Sequence, residues 1–102
     1  MPELAVEMMQ EFEKEYPSDL QLIRDAFAEG DFESVSRIAH RMKGSLGLLS
    51  ANPACQAAEL LERYAKEGLT PYAETAWKLL QDEMESLGPV IIKLAGSAGA
   101  WA

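Results

Sequence analysis

From Asp31 to Ser50 the apolar residues Phe32, Val35, Ile38, Ala39, Met42, Leu46 and Leu49 recur at spacings of three and four. That spacing is the mark of one buried helical stripe and leaves no room for a strand. The same rhythm returns in Leu20, Ile23 and Phe27, in Ala54, Ala57, Ala58, Leu61 and Tyr64, and in Ala73, Trp77, Leu80, Met84 and Leu87. Turn residues separate the stretches, loops are short and no strand pattern competes. The spacing therefore predicts an all-α fold, an up-and-down antiparallel four-helix bundle. A first helix from Glu3 to Glu15 is expected to end at Pro17 and to sit over one end of the bundle as an additional N-terminal capping helix. Gly30 and Gly68 read as helix stops, and Asp31 reads as an N-cap whose carboxylate accepts from free amides. Asn52-Pro53 and Thr70-Pro71 read as cap followed by first helical position. Gly88-Pro89 is expected to end or kink the last helix. Residues 1–95 form the domain and 96–102, small and unpatterned, a flexible tail in which Trp101 has no assigned role.

On the helix that carries the longest stripe, His40 lies roughly 150° from the stripe's centre, so its imidazole points to solvent. Arg37, Lys43, Gly44 and Gly47 share that outer ridge, with Leu48 beside them. Glycine inside a helix costs about 1 kcal/mol against alanine. Two on one exposed face suggest that a partner's backbone must approach the imidazole closely, a reading preferred here to a tight crossing with a neighbouring helix. Charge marks the same surface. Residues 1–33 hold ten acids and two bases and residues 59–102 seven acids and four bases, whereas residues 34–58 hold Arg37, Arg41 and Lys43 and no acid. In a chain of net charge −8 this is one cationic island, and the single histidine sits in it. An ammonium one helical turn from a histidine suits an anion bound or formed there.

The run His40-x-Met42-Lys43-Gly44-Ser45, then Leu49-Ser50-Ala51, then Ala58-x-x-Leu61-Glu62, resembles the histidine-containing phosphotransfer domains of bacterial phosphorelays. Their pattern reads His-x-Leu-Lys-Gly-Ser/Ala, a later Leu-Gly-Ala, and a Cys/Ala-x-x-Leu-Glu on the next helix. Met42, Ser50 and Ala54 depart from it at packing positions. The resemblance implies that His40 accepts a phosphoryl group, that Lys43 assists it electrostatically and that Gly44 keeps the approach open, with Arg37, Arg41, Gly47 and Leu48 on the docking surface. It implies receiver domains and a hybrid or sensor histidine kinase as partners. Any Mg²⁺ is expected on the receiver, so the chain itself needs no cofactor or metal.

Composition bounds the alternatives. A chain of 102 residues has length for a single core but not for an enzyme-sized cleft besides. Its 48% hydrophobic and 25% charged residues are those of an ordinary globular protein, expected to be a cytoplasmic monomer. No apolar run reaches the roughly 20 residues that span a bilayer, and the acidic balance argues against nucleic acid. Lone Cys55 allows no internal disulfide and has no second histidine to activate it. No glycine-rich phosphate loop or nucleotide motif is present, so no kinase activity of its own is expected. A dimeric kinase histidine domain is disfavoured because Arg41, not an acid, follows His40. A metal site or hydrolase lacks further ligands. The competing reading is a helical adaptor that binds receivers or kinases without being phosphorylated.

Overall fold

The computed structural model describes the backbone of residues 2–49 and 51–100 and the side chains of Glu7, residues 10–49, residues 51–87 and Pro89. Within these the chain is four helices and no strand: α1 (Pro2–Glu29), α2 (Phe32–Leu48), α3 (Asn52–Lys66) and α4 (Thr70–Ala100). Each packs on the next and α4 packs back on α1, closing a ring around one core. The body measures 46 × 21 × 20 Å, and 31 residues of α4 at about 1.5 Å each account for the long axis.

The apolar stripes become that core. Val35, Ile38, Ala39, Met42 and Leu46 of α2 are buried, as are Phe12, Ile23 and Ala26 of α1 and Ala73, Ala76, Leu80 and Met84 of α4. Each fully buried large side chain contributes about 1.5–3 kcal/mol. On α3 the buried face is Ala54, Ala57, Ala58, Leu61 and Ala65, four alanines in five. Small side chains there let α3 lie close against α2, so polar residues at the rim of one helix can reach the other. Trp77 of the α4 stripe is half-buried and stacks on Phe27 with ring centroids 6.1 Å apart, while Phe27 meets Phe32 edge-on at 5.7 Å.

Gly30 and Gly68 stop their helices as expected, each at φ +71°, where a side chain would be strained. The bonds are the same at both. Asp31 N–H reaches Ala26 C=O and Gly30 N–H reaches Phe27 C=O, and Leu69 and Gly68 repeat this on Tyr64 and Ala65. Asp31 caps α2 through its carboxylate, which accepts from Ser34 N–H at 3.1 Å and from the Ser34 hydroxyl at 2.6 Å. The hydroxyl bond and then the amide bond hold the Asp31 carboxyl below its ordinary pKa.

Three expectations need correction. Residues 2–29 form one helix through Pro17, so no separate N-terminal capping helix exists among the described residues. Pro17 faces solvent, which tolerates the missing amide, and the packing positions Phe12, Tyr16, Ile23 and Ala26 continue in helical register on both sides of it. Likewise α4 carries through Pro89, also exposed, and residues 96–100 continue it, so no helix end marks the expected boundary at residue 95. Trp101 lies outside the described residues. Finally, Ala51 rather than Asn52 holds the cap position of α3. Asn52 opens the helix, and no side chain bonds its first amides.

Candidate functional site

His40 stands on the outward side of α2, its side chain 66% exposed, because its stripe neighbours Ala39 and Met42 turn inward. Nδ1 lies 2.8 Å from Oε2 of Glu62, which α3 brings across from 22 residues away in sequence. The other oxygen of the same carboxylate, Oε1, accepts from the Lys43 ammonium at 2.8 Å. Ser36 fixes the backbone at that point, its hydroxyl donating to the Glu62 carbonyl at 3.2 Å. One carboxylate thus joins the histidine to the lysine one turn beyond it.

Charge in this trio follows from its geometry. Burial pushes the Glu62 carboxyl up, but hydrogen bonds from Lys43 and then His40, with the lysine's charge, outweigh it and leave the group below its ordinary value. The bond to Glu62 in turn holds the Lys43 ammonium above its ordinary value. Glu62 is therefore ionised at neutral pH and can only accept hydrogen bonds. Nδ1 must be the nitrogen that carries the proton and donates it to Oε2, which assigns the tautomer by its partner. In the neutral ring Nε2 then keeps its lone pair, on an imidazole open to solvent.

The other ridge residues separate into distinct settings. Gly44 faces open space, since a Cβ built there would meet nothing within 4 Å. Gly47 is exposed but lies over the start of α3, where a Cβ would stand 3.7 Å from Cys55 Sγ, an ordinary contact. The Cys55 thiol donates to the Lys43 carbonyl at 3.5 Å. Leu48 is 70% exposed. Arg41, side by side with His40 in sequence, is turned to α1 and pairs with Asp19, the one buried charged residue among those described. Arg37 donates to the Ser34 hydroxyl at 3.4 Å and, among the described residues, has no carboxylate within ion-pair distance. A groove of about 770 Å³ on the α2–α3 seam is bordered by Arg37, His40, Glu62 and Lys66.

The model of the family described as Hpt domain matches residues 7–88. The chain belongs to the Hpt domain family. No curated protein and no solved structure gives a match. Hpt domains act in histidine phosphotransfer of two-component signalling, as phosphocarriers rather than kinases, and they interact with receiver domains and histidine kinases. Among the described residues no helix is long and apolar enough to cross a membrane.

Of the residues that sequence assigned to the site of this Hpt domain, the structure brings His40, Lys43 and Gly44 together on one ridge and sends Arg41 to a buried partner. It also adds Glu62. The sequence has no acid between residues 34 and 58, and Glu62 enters from the next helix, where Leu61-Glu62 carries the resemblance without a stated role. The usable signal was its position on α3. It lies one residue past buried Leu61 and four past buried Ala58, hence on the rim of the α2-facing stripe.

Proposed function

We propose that this Hpt domain is a phosphorelay intermediate in which Nε2 of His40 takes a phosphoryl group from a receiver's aspartyl phosphate, or from a kinase, and passes it to another receiver aspartate. The observation that carries this is the exposed imidazole whose Nδ1–H is held by an ionised carboxylate. A neutral ring with a fixed lone pair is a nucleophile that needs no base. In the step, Nε2 attacks phosphorus in line as the acyl O–P bond breaks and the aspartate departs as carboxylate. Positioning and charge neutralisation supply the rate, most of it from the receiver, whose acidic pocket is expected to hold the Mg²⁺.

Lys43 is the phosphoryl-stabilising cation. Glu62 occupies it at rest, and the developing dianion competes for it. Gly44 and Leu48 form the docking ridge with Gly47 and Arg37, and Arg41 contributes the donors that Asp19 leaves free. The scaffold is an antiparallel up-and-down bundle. That arrangement is supported by the grooves between α1 and α2, one bordered by Phe12 with Leu49 and another by Leu22 with Ile38. The chain works as a cytoplasmic monomer.

The test is transfer from a labelled, phosphorylated receiver in the presence of Mg²⁺. Acid-labile, alkali-stable label on the wild type, absent from His40→Gln, is the expected result. No label from a broad set of receivers, with the fold intact and receivers still bound, would establish an adaptor instead.

A further inference from the structure

We infer that the seam between α1 and α2, on the side of α2 away from Glu62, takes an amphipathic helix of the receiver. That helix lies along α2 and sets an apolar side chain, with a lysine or arginine beside it, into the groove next to Leu48. This rests on the carrier reading above and deepens it by stating the partner's chemistry.

Three open grooves follow one another along the seam. The first is bordered by Leu48, Leu49 and Phe12, the second by Arg41, Leu22 and Lys14, and the third by Arg41, Leu22 and Ile38. Leu48 is 70% exposed and Leu22 46%, so a large apolar side chain stands uncovered towards each end of the row. Ile38, which shares a groove with Leu22, precedes Leu48 by ten residues on α2. At about 1.5 Å per residue the two leucines therefore lie about 15 Å apart along the seam. A partner helix covers that span in about three turns, which brings apolar residues about ten or eleven positions apart onto one face.

Charge decides which way such a helix lies. Glu11 and Glu15 border the groove beside Leu48, and no base does. Nothing on α2 offsets them there, because residues 44–58 carry no charge. At the other end the signs are mixed, with Arg37 and Arg41 near Asp25 and Glu29. Between the leucines Arg41 pairs with Asp19 through one nitrogen and keeps further donors for an acceptor on the helix. A receiver helix with its base at the Leu48 end satisfies both carboxylates. Turned end for end, it brings the base to Arg37 and Arg41 and leaves the carboxylates unmatched. Glu11 and Glu15 bond to neither His40 nor Lys43, so they act on docking and register and not on the phosphoryl group.

The experiment follows transfer to His40 from a labelled receiver that loads the wild type, with kcat and KM separated and each variant's fold checked by urea unfolding. Glu11→Lys with Glu15→Lys should lower kcat/KM about tenfold, through KM, with kcat within about twofold of wild type and the gap closing as salt is raised. Leu22→Ser should lower it about fivefold by the same route, without the salt dependence. Glu74→Lys with Glu85→Lys makes the same change of net charge on α4 and should stay within about twofold of wild type. On wild type itself, amide shifts caused by unlabelled receiver should run along residues 11–25 of α1 as well as along α2. Unchanged KM in both α1 variants, an equal loss in the α4 control, or shifts confined to α2 and α3 would overturn the inference and leave the carrier reading standing. Failure of folded wild type to take label from any receiver would overturn both.

Discussion

Two carboxylates reach α2 from opposite sides, and they serve different ends. Asp19 of α1 is 6% exposed and takes the Arg41 guanidinium, a pair with no reacting atom in it. Glu62 of α3 is 22% exposed at its side chain and divides its oxygens between Lys43 and His40. The first tie trades desolvation for a fixed relation between two helices. The second stays partly in water, so its members can exchange partners as charge appears beside them. Depth of burial, more than the kind of charge pair, separates a structural tie from one available to chemistry.

The sharpest way to break this comparison is to remove the group that only one side holds. His40→Gln should abolish phosphoryl uptake altogether while stability stays within about 0.5 kcal/mol of wild type, since the residue is exposed. Label transfer and urea unfolding on the same preparation check both halves. On the other side, Arg41→Met strands a buried carboxylate and should cost about 3 kcal/mol. Asp19→Asn leaves only a solvated guanidinium and should cost about 1 kcal/mol. Equal costs in urea unfolding would mean that Asp19 is not effectively buried.

Gly44→Leu probes the open ridge between the ties. The protein should fold and gain up to about 1 kcal/mol from helix propensity, yet lose about a hundredfold in transfer from a receiver as docking is displaced. Undiminished transfer would remove access as the reason for the glycine.

The smallest effect concerns pH. Glu62 has a folded value below its ordinary 4.5, so its stabilising contribution is complete above 4.5 and is lost as pH falls through the folded value. Lys43 has the opposite sign. Raised above 10.5, its contribution is complete below that pH and is lost as pH rises through the folded value. The stability difference between wild type and Glu62→Gln should therefore be level across neutral pH and shrink at both extremes, measured as thermal midpoints against pH.

Much of the fold was legible because helical spacing is a local signal. The α2 stripe, the Asp31 cap and the two glycine stops all rest on residues within a turn or two of one another. Pro17 and Pro89 misled for the same reason. The local rule counts a lost amide bond, but whether a helix ends depends on packing before and after it, and the stripe from Phe12 to Ala26 continues across Pro17. The outward direction of His40 was legible from its angle on α2. Its bond to Glu62 was not, because it depends on how close two helices lie, which the alanines of α3 decide. Arg41 illustrates the converse, a cation counted on the docking surface whose direction is set by an acid 22 residues earlier.

Pro17 has a consequence for the way the bundle comes apart. With no amide at residue 17, the Glu13 carbonyl lacks its partner along the helix, and α1 becomes two cooperative lengths joined at a weak link. The first length can peel back turn by turn without pulling on the second. Asp19 lies two residues past the link, so its grip on Arg41 outlasts such fraying, and the helix that presents His40 keeps its orientation while its neighbour breathes.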